Sequence, residues 1–292
     1  MELIDGFETI IRENEPLAPY TRLRLGGVAE YFAEPTTAEE LSSLVKRFME
    51  AERPVRLLGG GSNILVREEG IPGLVIHLAA PVFCKLESSE NQIVSGGGTR
   101  LPHFVSMAVA NGFVGTENLV GIPGTVGGAL HGNSGNQHAG IGRWVQQVTT
   151  LTRKGEIVTR QRSEMNFGYR ESSLTELAIV DATFQFEKDD SAQLTRRMQK
   201  LWIVKRANEP AGNENAAYIF KYQGGEPAGR LVDLAGLRGT RMGDVEISSR
   251  DSNFIVAGAK ATSDDVLRLI DLVKTRVADR LGIELELSLV IW

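Results

Sequence analysis

The chain is poor in cysteine, in positive charge and in long apolar runs. Cys84 is the single cysteine among 292 residues, which excludes an intrachain disulfide and fits a reducing compartment. Thirty-seven acidic and 32 basic residues give a net charge of −5, so a nucleic-acid partner is not expected. No apolar run approaches the roughly 18 residues of a membrane-spanning helix, and the N-terminal residues have no signal-peptide pattern. We therefore expect a cytoplasmic protein with neither nucleic acid nor a membrane as a partner.

Two common nucleotide-binding motifs are also missing. Where two glycines are spaced two residues apart, no third glycine follows three residues later, so the Gly-x-Gly-x-x-Gly motif of a Rossmann domain is absent. Neither Gly-Lys-Ser nor Gly-Lys-Thr occurs, which excludes a P-loop. If the chain binds a nucleotide, it does so by another arrangement.

Glycine, in contrast, is abundant and concentrated. The chain has 32 glycines, and 18 of them lie between Gly59 and Gly142, about twice the number that even spacing gives. Two segments stand out, LGGGSN at 58–63 and GIPGTVGGA at 121–129. Successive N–H groups on residues without side chains can form a nest that binds an anion such as a pyrophosphate. The pattern predicts such a ligand, the alternative being tight turns without one.

Hydrophobic periodicity predicts both helices and strands, without a regular β–α–β rhythm, which favours an α+β fold. Four helices are predicted. The first begins at Thr37 and ends before Pro54, and the second spans Leu101–Ala110. The third follows Ser191 and has one apolar face (Leu194, Met198, Leu201, Trp202), and the fourth runs from a cap at Thr262 or Ser263 to Gly282. The predicted strands are 55–58, 74–78, 93–95, 148–152, 157–160, 178–186 and 283–291.

Several longer motifs, in a fixed order, point to a family. They resemble the compact subtype of the UDP-N-acetylenolpyruvoylglucosamine reductase family, and the resemblance runs from about residue 15 to 291. The motifs are RLLGGGSNILV (56–66), GIPGTVGGAL (121–130), FGYRESSL (167–174), AGRLVDLAGLRG (228–239) and SNFIVAGAKATSDDVLRLI (252–270).

The resemblance implies a fold and an activity. An FAD-binding domain of the vanillyl-alcohol-oxidase (PCMH) type is expected at 15–188, with two subdomains at about 15–78 and 79–188. A C-terminal α+β substrate-binding domain is expected at 200–292. In this family noncovalent FAD takes hydride from NADPH and passes it to the enolpyruvyl group of UDP-N-acetylglucosamine enolpyruvate. The product is UDP-N-acetylmuramate, used in peptidoglycan synthesis, and no metal is implied.

The resemblance also assigns residues to the site. Arg170 matches the catalytic arginine of the family, and Tyr169 and Lys221 fall at substrate positions. The expected cofactor-binding residues lie in the glycine-rich part of the chain: Gly59, Gly60, Gly61, Ser62, Asn63, Gly97, Gly121, Ile122, Pro123, Gly124, Thr125, Gly128, Ala129 and Asn133.

Departures from the family pattern concentrate at the substrate end. The proton-donating serine of the family is Tyr218 here, a family asparagine is Tyr222, and the catalytic glutamate is Ser288. Tyr218, whose phenol can donate a proton, and Glu286, two residues from Ser288 on the same face of the predicted strand, are candidate replacements. The sequence leaves three functions open: the family reaction with replaced groups, a flavoprotein with another substrate, and a flavin-binding protein without activity.

Overall fold

The computed structural model describes residues 3–136, 139–210 and 215–292. It divides into two compact units that are interleaved along the chain. The first unit comprises residues 1–15, 29–60 and 72–203, and the second comprises 16–28, 61–71 and 204–292. The assignment of binding roles to 15–188 and 200–292 stays a prediction.

The mixed content of helices and strands confirms the predicted α+β class. The helices are α1 (Ala38–Glu50), α2 (Leu101–Ala110), α3 (Val126–His131), α4 (Ser191–Asn208), α5 (Ala228–Leu234) and α6 (Ser263–Leu281). The strands are β1 (Ile11–Pro16), β2 (Val28–Ala33), β3 (Val55–Leu58), β4 (Ile64–Leu65), β5 (Ile71–His77), β6 (Leu86–Ser89), β7 (Gln92–Gly96), β8 (Val145–Leu151), β9 (Ile157–Gln161), β10 (Phe167–Gly168), β11 (Glu171–Ser172), β12 (Ala178–Gln185), β13 (Ala216–Tyr218), β14 (Arg241–Met242), β15 (Val245–Ile247), β16 (Phe254–Ala257) and β17 (Val290–Ile291).

The first unit contains two sheets, each with its own apolar core. One has the strand order β1-β2-β5-β3 and packs against α1, whose buried face is Leu41, Leu44, Val45 and Phe48. The other has the order β6-β7-β12-β8-β9 and packs against α2 and α3. As predicted, Thr37 caps α1 and forms a capping box with Glu40. Gly155, at φ +73°, lies in the turn between β8 and β9.

The second unit is built on an antiparallel sheet of order β13-β16-β15-β14. Helix α6 packs on it through Val266, Leu269, Ile270, Val273 and Val277, all of them buried. The helix begins at the predicted cap, Thr262, and ends at Gly282, which has the left-handed conformation that favours glycine. In the same unit, β17 pairs in parallel with the short strand β4.

Two sequence predictions are wrong in part. Helix α4 forms, but of the predicted apolar face Leu194 is fully buried whereas Leu201 and Trp202 are 40% and 49% exposed. The predicted strand at 283–291 is reduced to Val290–Ile291 and a single bridge at Leu287. The reason is that Ser288 and Leu289 both donate to the carbonyl of Ile219, which interrupts the regular ladder.

No helix within the three described ranges is long and apolar enough to cross a membrane.

Candidate functional site

Main-chain N–H groups without protein acceptors mark the glycine segments. Among the described residues, the amides of 59–61 donate to no carbonyl or side chain. The same holds, within the described chain, for the amides of Gly124 and Thr125. Unpaired N–H groups on successive residues form a donor array that suits an anion, and leaving them unpaired away from water is costly. These donors fit the pyrophosphate that the sequence predicts as part of the ligand.

The two glycine segments approach each other so closely that side chains would not fit. A methyl group on Gly60 would lie 2.7 Å from the Cα of Gly124, and one on Gly59 would lie 2.9 Å from the hydroxyl of Thr125. Gly127 packs in the same way on Gly97, with an N–H···O=C bond of 2.8 Å. The glycines therefore serve main-chain packing as well as the donor array.

The remaining cofactor candidates differ in whether their main-chain N–H groups donate to an acceptor within the protein. The N–H groups of Gly97, Gly128 and Ala129 donate within the protein, to Val180, Thr125 Oγ1 and Thr125 O. Any contact of these residues with a cofactor therefore comes from their other atoms. The amide of Gly121, in contrast, has no acceptor among the described residues, whereas that of Ile122 donates to Leu119.

An apolar cavity of about 680 Å³ adjoins the turn at Gly121, within the first unit. Three predicted cofactor residues line it together with residues of α2 and α4 that the sequence did not single out for a site. The lining residues are Pro102, Val105, Ser106, Val120, Gly121, Ile122, Pro123, Met198, Gln199, Trp202 and Ile203. Of the apolar residues exposed on α4, Trp202 and Ile203 therefore belong to the wall of this cavity.

Arg170 lies at the tip of a short hairpin. Strands β10 and β11 pair through Phe167–Ser172 and Gly168–Glu171, which leaves Tyr169 and Arg170 as the two turn residues. Arg170 has φ of +58°, a left-handed conformation that an L-residue with a side chain adopts at a cost. A non-glycine residue held in this region is typical of functional sites.

Arg170 is half-buried and has no acidic partner among the described residues. Within the described ranges its Nε is buried without a hydrogen-bond partner, and the residue forms no ion pair there. A partly desolvated cation without an acidic partner is suited to an anionic substrate group.

Asn133 holds this hairpin in place. Its Nδ2 donates to Gly168 O at 2.7 Å, and its Oδ1 accepts from Gly142 N at 3.0 Å. Ser172 Oγ adds a bond of 2.8 Å to His131 O at the end of α3. Because the side chain of Asn133 is used in this way, its predicted contact with the cofactor would have to come from the main chain. That contact stays a prediction.

In the second unit, two segments carry the remaining candidates. Tyr218 ends β13, half-buried, with its ring 5.5 Å from that of Phe254 in an edge-to-face arrangement. Lys221 Nζ lies 3.4 Å from Glu286 Oε2, and Lys221 N donates to Glu286 O at 2.9 Å. Glu286 is 64% exposed, so this ion pair is open to solvent. The structure thus brings the predicted substrate lysine and the candidate glutamate together.

Ser288 contributes to this region mainly through its main chain. Its N–H donates to Ile219 O at 2.7 Å, and its C=O accepts from Asn63 Nδ2 at 2.6 Å. Asn63, a predicted cofactor residue, therefore uses its side-chain amide within the second unit. Since residues 286–288 do not form a regular strand, the two-residue alternation that related Glu286 to Ser288 does not apply here.

Comparison with protein families matches both parts of the chain. The C-terminal domain of UDP-N-acetylenolpyruvoylglucosamine reductase matches residues 209–292, and the FAD binding domain matches residues 29–160. Helix α4 lies between these two ranges.

Curated relatives match over almost the whole chain. The UDP-N-acetylenolpyruvoylglucosamine reductase of Rhodopirellula baltica is 38% identical over 97% of this chain and 93% of its own length. The enzyme of the same name from Moorella thermoacetica is 35% identical over 100% of this chain and 96% of its own length.

Solved structures agree. The crystal structure of UDP-N-acetylenolpyruvylglucosamine reductase from Thermus caldophilus has a TM-score of 0.81 at 35% identity and covers 97% of this chain and 99% of that chain. A Bermuda grass group 4 isoallergen has a TM-score of 0.52 at 12% identity, with 94% of this chain and 58% of that chain covered, and its likeness concerns the fold alone.

The conformation of Arg170 predicts a gain of stability when the side chain is removed. Replacement by glycine, Arg170→Gly, relieves the left-handed conformation and should raise the free energy of unfolding by about 1 kcal/mol. As a control, Arg153→Gly changes an exposed arginine in the β8–β9 turn that has no positive φ. It should lower the same quantity by about 0.5–1 kcal/mol. Urea unfolding followed by circular dichroism measures both, and equal losses would show that Arg170 is unstrained.

Proposed function

The chain belongs to the UDP-N-acetylenolpyruvoylglucosamine reductase family, and we propose that it reduces UDP-N-acetylglucosamine enolpyruvate to UDP-N-acetylmuramate for peptidoglycan synthesis. It is an FAD-dependent oxidoreductase with NADPH as the reductant. The observation that carries the proposal is the combination, in the first unit, of N–H groups without acceptors among the described residues, at Gly59, Gly60, Gly124 and Thr125, with Arg170, whose Nε is buried without a hydrogen-bond partner there. The substrate is a small UDP-sugar, and FAD, when bound, supplies hydride to its double bond.

The pyrophosphate of FAD would be bound by main-chain N–H groups that have no acceptor among the described residues. The amides of 59–61, Gly124 and Thr125 would bind the pyrophosphate, because each lacks an acceptor among the described residues. The close main-chain packing of Gly60 on Gly124 fixes the positions of these donors. Ser62, Asn63, Gly97, Gly121–Pro123, Gly128, Ala129 and Asn133 complete the proposed cofactor-binding set.

Arg170 would stabilise the charge that develops during the reduction. Addition of hydride to the enolpyruvyl double bond places negative charge next to the substrate carboxylate. A cation held at that point lowers the energy of the transition state, and it costs no reorganisation when it is already in place. The hairpin of Arg170, tied to α3 by Asn133 and Ser172, provides such a fixed position. Tyr169, the other turn residue, is proposed to contact substrate.

A proton must then be delivered to the adjacent carbon, and we assign this role to Tyr218. Its phenol O–H can donate, and it stands where the family has its proton-donating serine. Glu286 is a weaker candidate, because its carboxylate is largely exposed and paired with Lys221. Lys221 is proposed to bind an anionic group of the substrate.

A flavoprotein that has lost this activity or acts on another substrate is the second candidate function. It is favoured by the substitutions at Tyr218, Tyr222 and Ser288, which all fall in the second unit, whereas the N–H array of the glycine segments is retained. We further propose that the protein works in the cytoplasm, where NADPH and nucleotide sugars are available, and that it has no nucleic-acid partner. The net charge of −5 supports the last point.

The two half-reactions, measured separately, test the proposed function. FAD-loaded protein should bleach anaerobically on addition of NADPH, and the reduced flavin should be reoxidised by UDP-N-acetylglucosamine enolpyruvate within seconds. Bleaching without reoxidation would favour a different substrate, and a lack of bleaching would favour a flavin-binding protein without activity. A protein that retains no FAD would overturn the whole proposal.

Removal of one phenol oxygen tests the proton donor. Tyr218→Phe should slow reoxidation by UDP-N-acetylglucosamine enolpyruvate by about 10²-fold, the usual contribution of a general acid, and leave bleaching by NADPH unchanged. Glu286→Gln serves as the comparison, and we expect a smaller effect because Glu286 is exposed. If Glu286→Gln is the slower variant, the assignment of the two residues is reversed.

The packing of Gly60 predicts that a methyl group there impairs cofactor binding. In Gly60→Ala the new Cβ would lie 2.7 Å from the Cα of Gly124, a main-chain atom that cannot move aside. We expect the affinity for FAD to fall by roughly tenfold or more, as measured by titration of the apoprotein with FAD. Gly132→Ala is the control, because its Cβ would meet Gly128 O at 3.7 Å, an ordinary contact. Equal affinities in the two variants would contradict this prediction.

A further inference from the structure

Asn253 makes two hydrogen bonds to the main chain of a single residue, Phe220. The residue is 1% exposed, its Nδ2 donates to Phe220 O at 2.8 Å, and its Oδ1 accepts from Phe220 N at 2.9 Å. A carbonyl on one side and an N–H on the other determine which way the amide is oriented. The side chain thus acts as a neighbouring peptide group would. It extends the β13–β16 ladder beyond its last pair, Tyr218–Phe254.

The opposite edge of the same segment is bonded to the C-terminal residues. Lys221 N donates to Glu286 O, Phe220 forms a bridge with Leu287, and Ser288 N donates to Ile219 O. Residues 218–221 therefore lie between Asn253 on one side and residues 286–288 on the other. The proposed catalytic and substrate residues of the second unit, Tyr218, Lys221 and Glu286, belong to these two segments.

Asn253 is itself held firmly in its turn. Its N–H donates to Asp251 Oδ1 at 2.9 Å, and its C=O accepts from Ile219 N at 3.0 Å. Helix α5 lies directly against this turn, since a methyl on Gly229 would come within 2.6 Å of Asp251 Oδ1 and 3.2 Å of Asn253 N. Because both the main chain and the side-chain amide of Asn253 are hydrogen-bonded, the residue can hold the main chain of Phe220 in a defined position.

We propose that Asn253 is a positioning residue for the reduction. It fixes the main chain of residues 218–221, and through the pairing with residues 286–288 it also fixes Glu286. Asn253 acts on the substrate only through these residues, so it is not a catalytic residue. The inference rests on the proposed function, because proton delivery depends on donor and substrate being held within a fraction of an ångström.

Substitutions that remove one or both hydrogen bonds test the proposal on the FAD-loaded enzyme. Asn253→Ala removes both bonds, and Asn253→Asp keeps the acceptor for Phe220 N but places a second oxygen against Phe220 O. Reoxidation of reduced flavin by UDP-N-acetylglucosamine enolpyruvate should slow by roughly tenfold or more in both variants. Bleaching by NADPH should stay within about twofold of the unmodified enzyme, because, among the described residues, the hydrogen bonds of Asn253 go to Phe220, Ile219 and Asp251 and not to a proposed cofactor residue.

Ser252→Ala is the matched control. Ser252 precedes Asn253, is 2% exposed, and its hydroxyl bonds to Asp233 in α5 and not to residues 218–221. The control should lose stability but reoxidise at the normal rate. Hydrogen exchange gives a readout independent of activity: the amide of Phe220 should lose protection in Asn253→Ala and keep it in Ser252→Ala.

The outcomes separate the two proposals. If the unmodified enzyme is not reoxidised by UDP-N-acetylglucosamine enolpyruvate, the proposed function fails, and this inference fails with it. If the unmodified enzyme is reoxidised but the Asn253 variants match Ser252→Ala in rate and exchange, only the inference fails. If Asn253→Ala does not fold, Asn253→Asp decides by the same two measurements.

Discussion

Contact between glycine main chains is the constraint on which the rest of the first unit depends. Gly60 packs on Gly124, and Gly127 packs on Gly97 with a hydrogen bond of 2.8 Å. Helix α3 starts from this contact, because Thr125 is its N-cap, and ends near Asn133, which holds the hairpin of Arg170. One short helix therefore relates the unpaired N–H groups to the cation. A substitution that changes this glycine packing would therefore affect both the N–H groups and the position of Arg170.

Much of this arrangement can be predicted from local sequence, and the parts that cannot share a physical cause. Capping boxes and periodic apolar residues locate α1 and α6, since these signals act within a few residues. The exposure of Trp202 was not predictable from periodicity, which gives a common face but not what covers it. The hydrogen bonds of Asn253 are likewise not predictable from local sequence, because a side chain that bonds to main chain 33 residues away leaves no local pattern.

The departures from the family pattern at Tyr218 and Ser288 lie at positions where main-chain hydrogen bonds hold the residue in the fold. Ser288 is held through its N–H and C=O, and both bonds are available to any residue except proline at that position. Tyr218 likewise pairs through its main chain with Phe254, and its side chain is only half-buried. Such positions can exchange side chains at little cost to the fold. Under the proposed assignment, replacing the family's serine and glutamate at these two positions would change the chemistry of the site while the main-chain hydrogen bonds stay in place.

Glycine positions in the first unit obey the opposite rule. There the absence of a side chain is what permits the main-chain contact, so almost any substitution at Gly60 or Gly97 meets another main chain. The part of the protein that would hold the cofactor thus has little freedom to change, whereas the part that would deliver the proton has considerable freedom. Under the proposed function, the flavin chemistry would be kept while the proton donor changes from serine to tyrosine, provided that the scaffold around residues 218–221 still places the new group correctly. In this chain that scaffold includes the buried amide of Asn253, which is independent of the residues exchanged beside it.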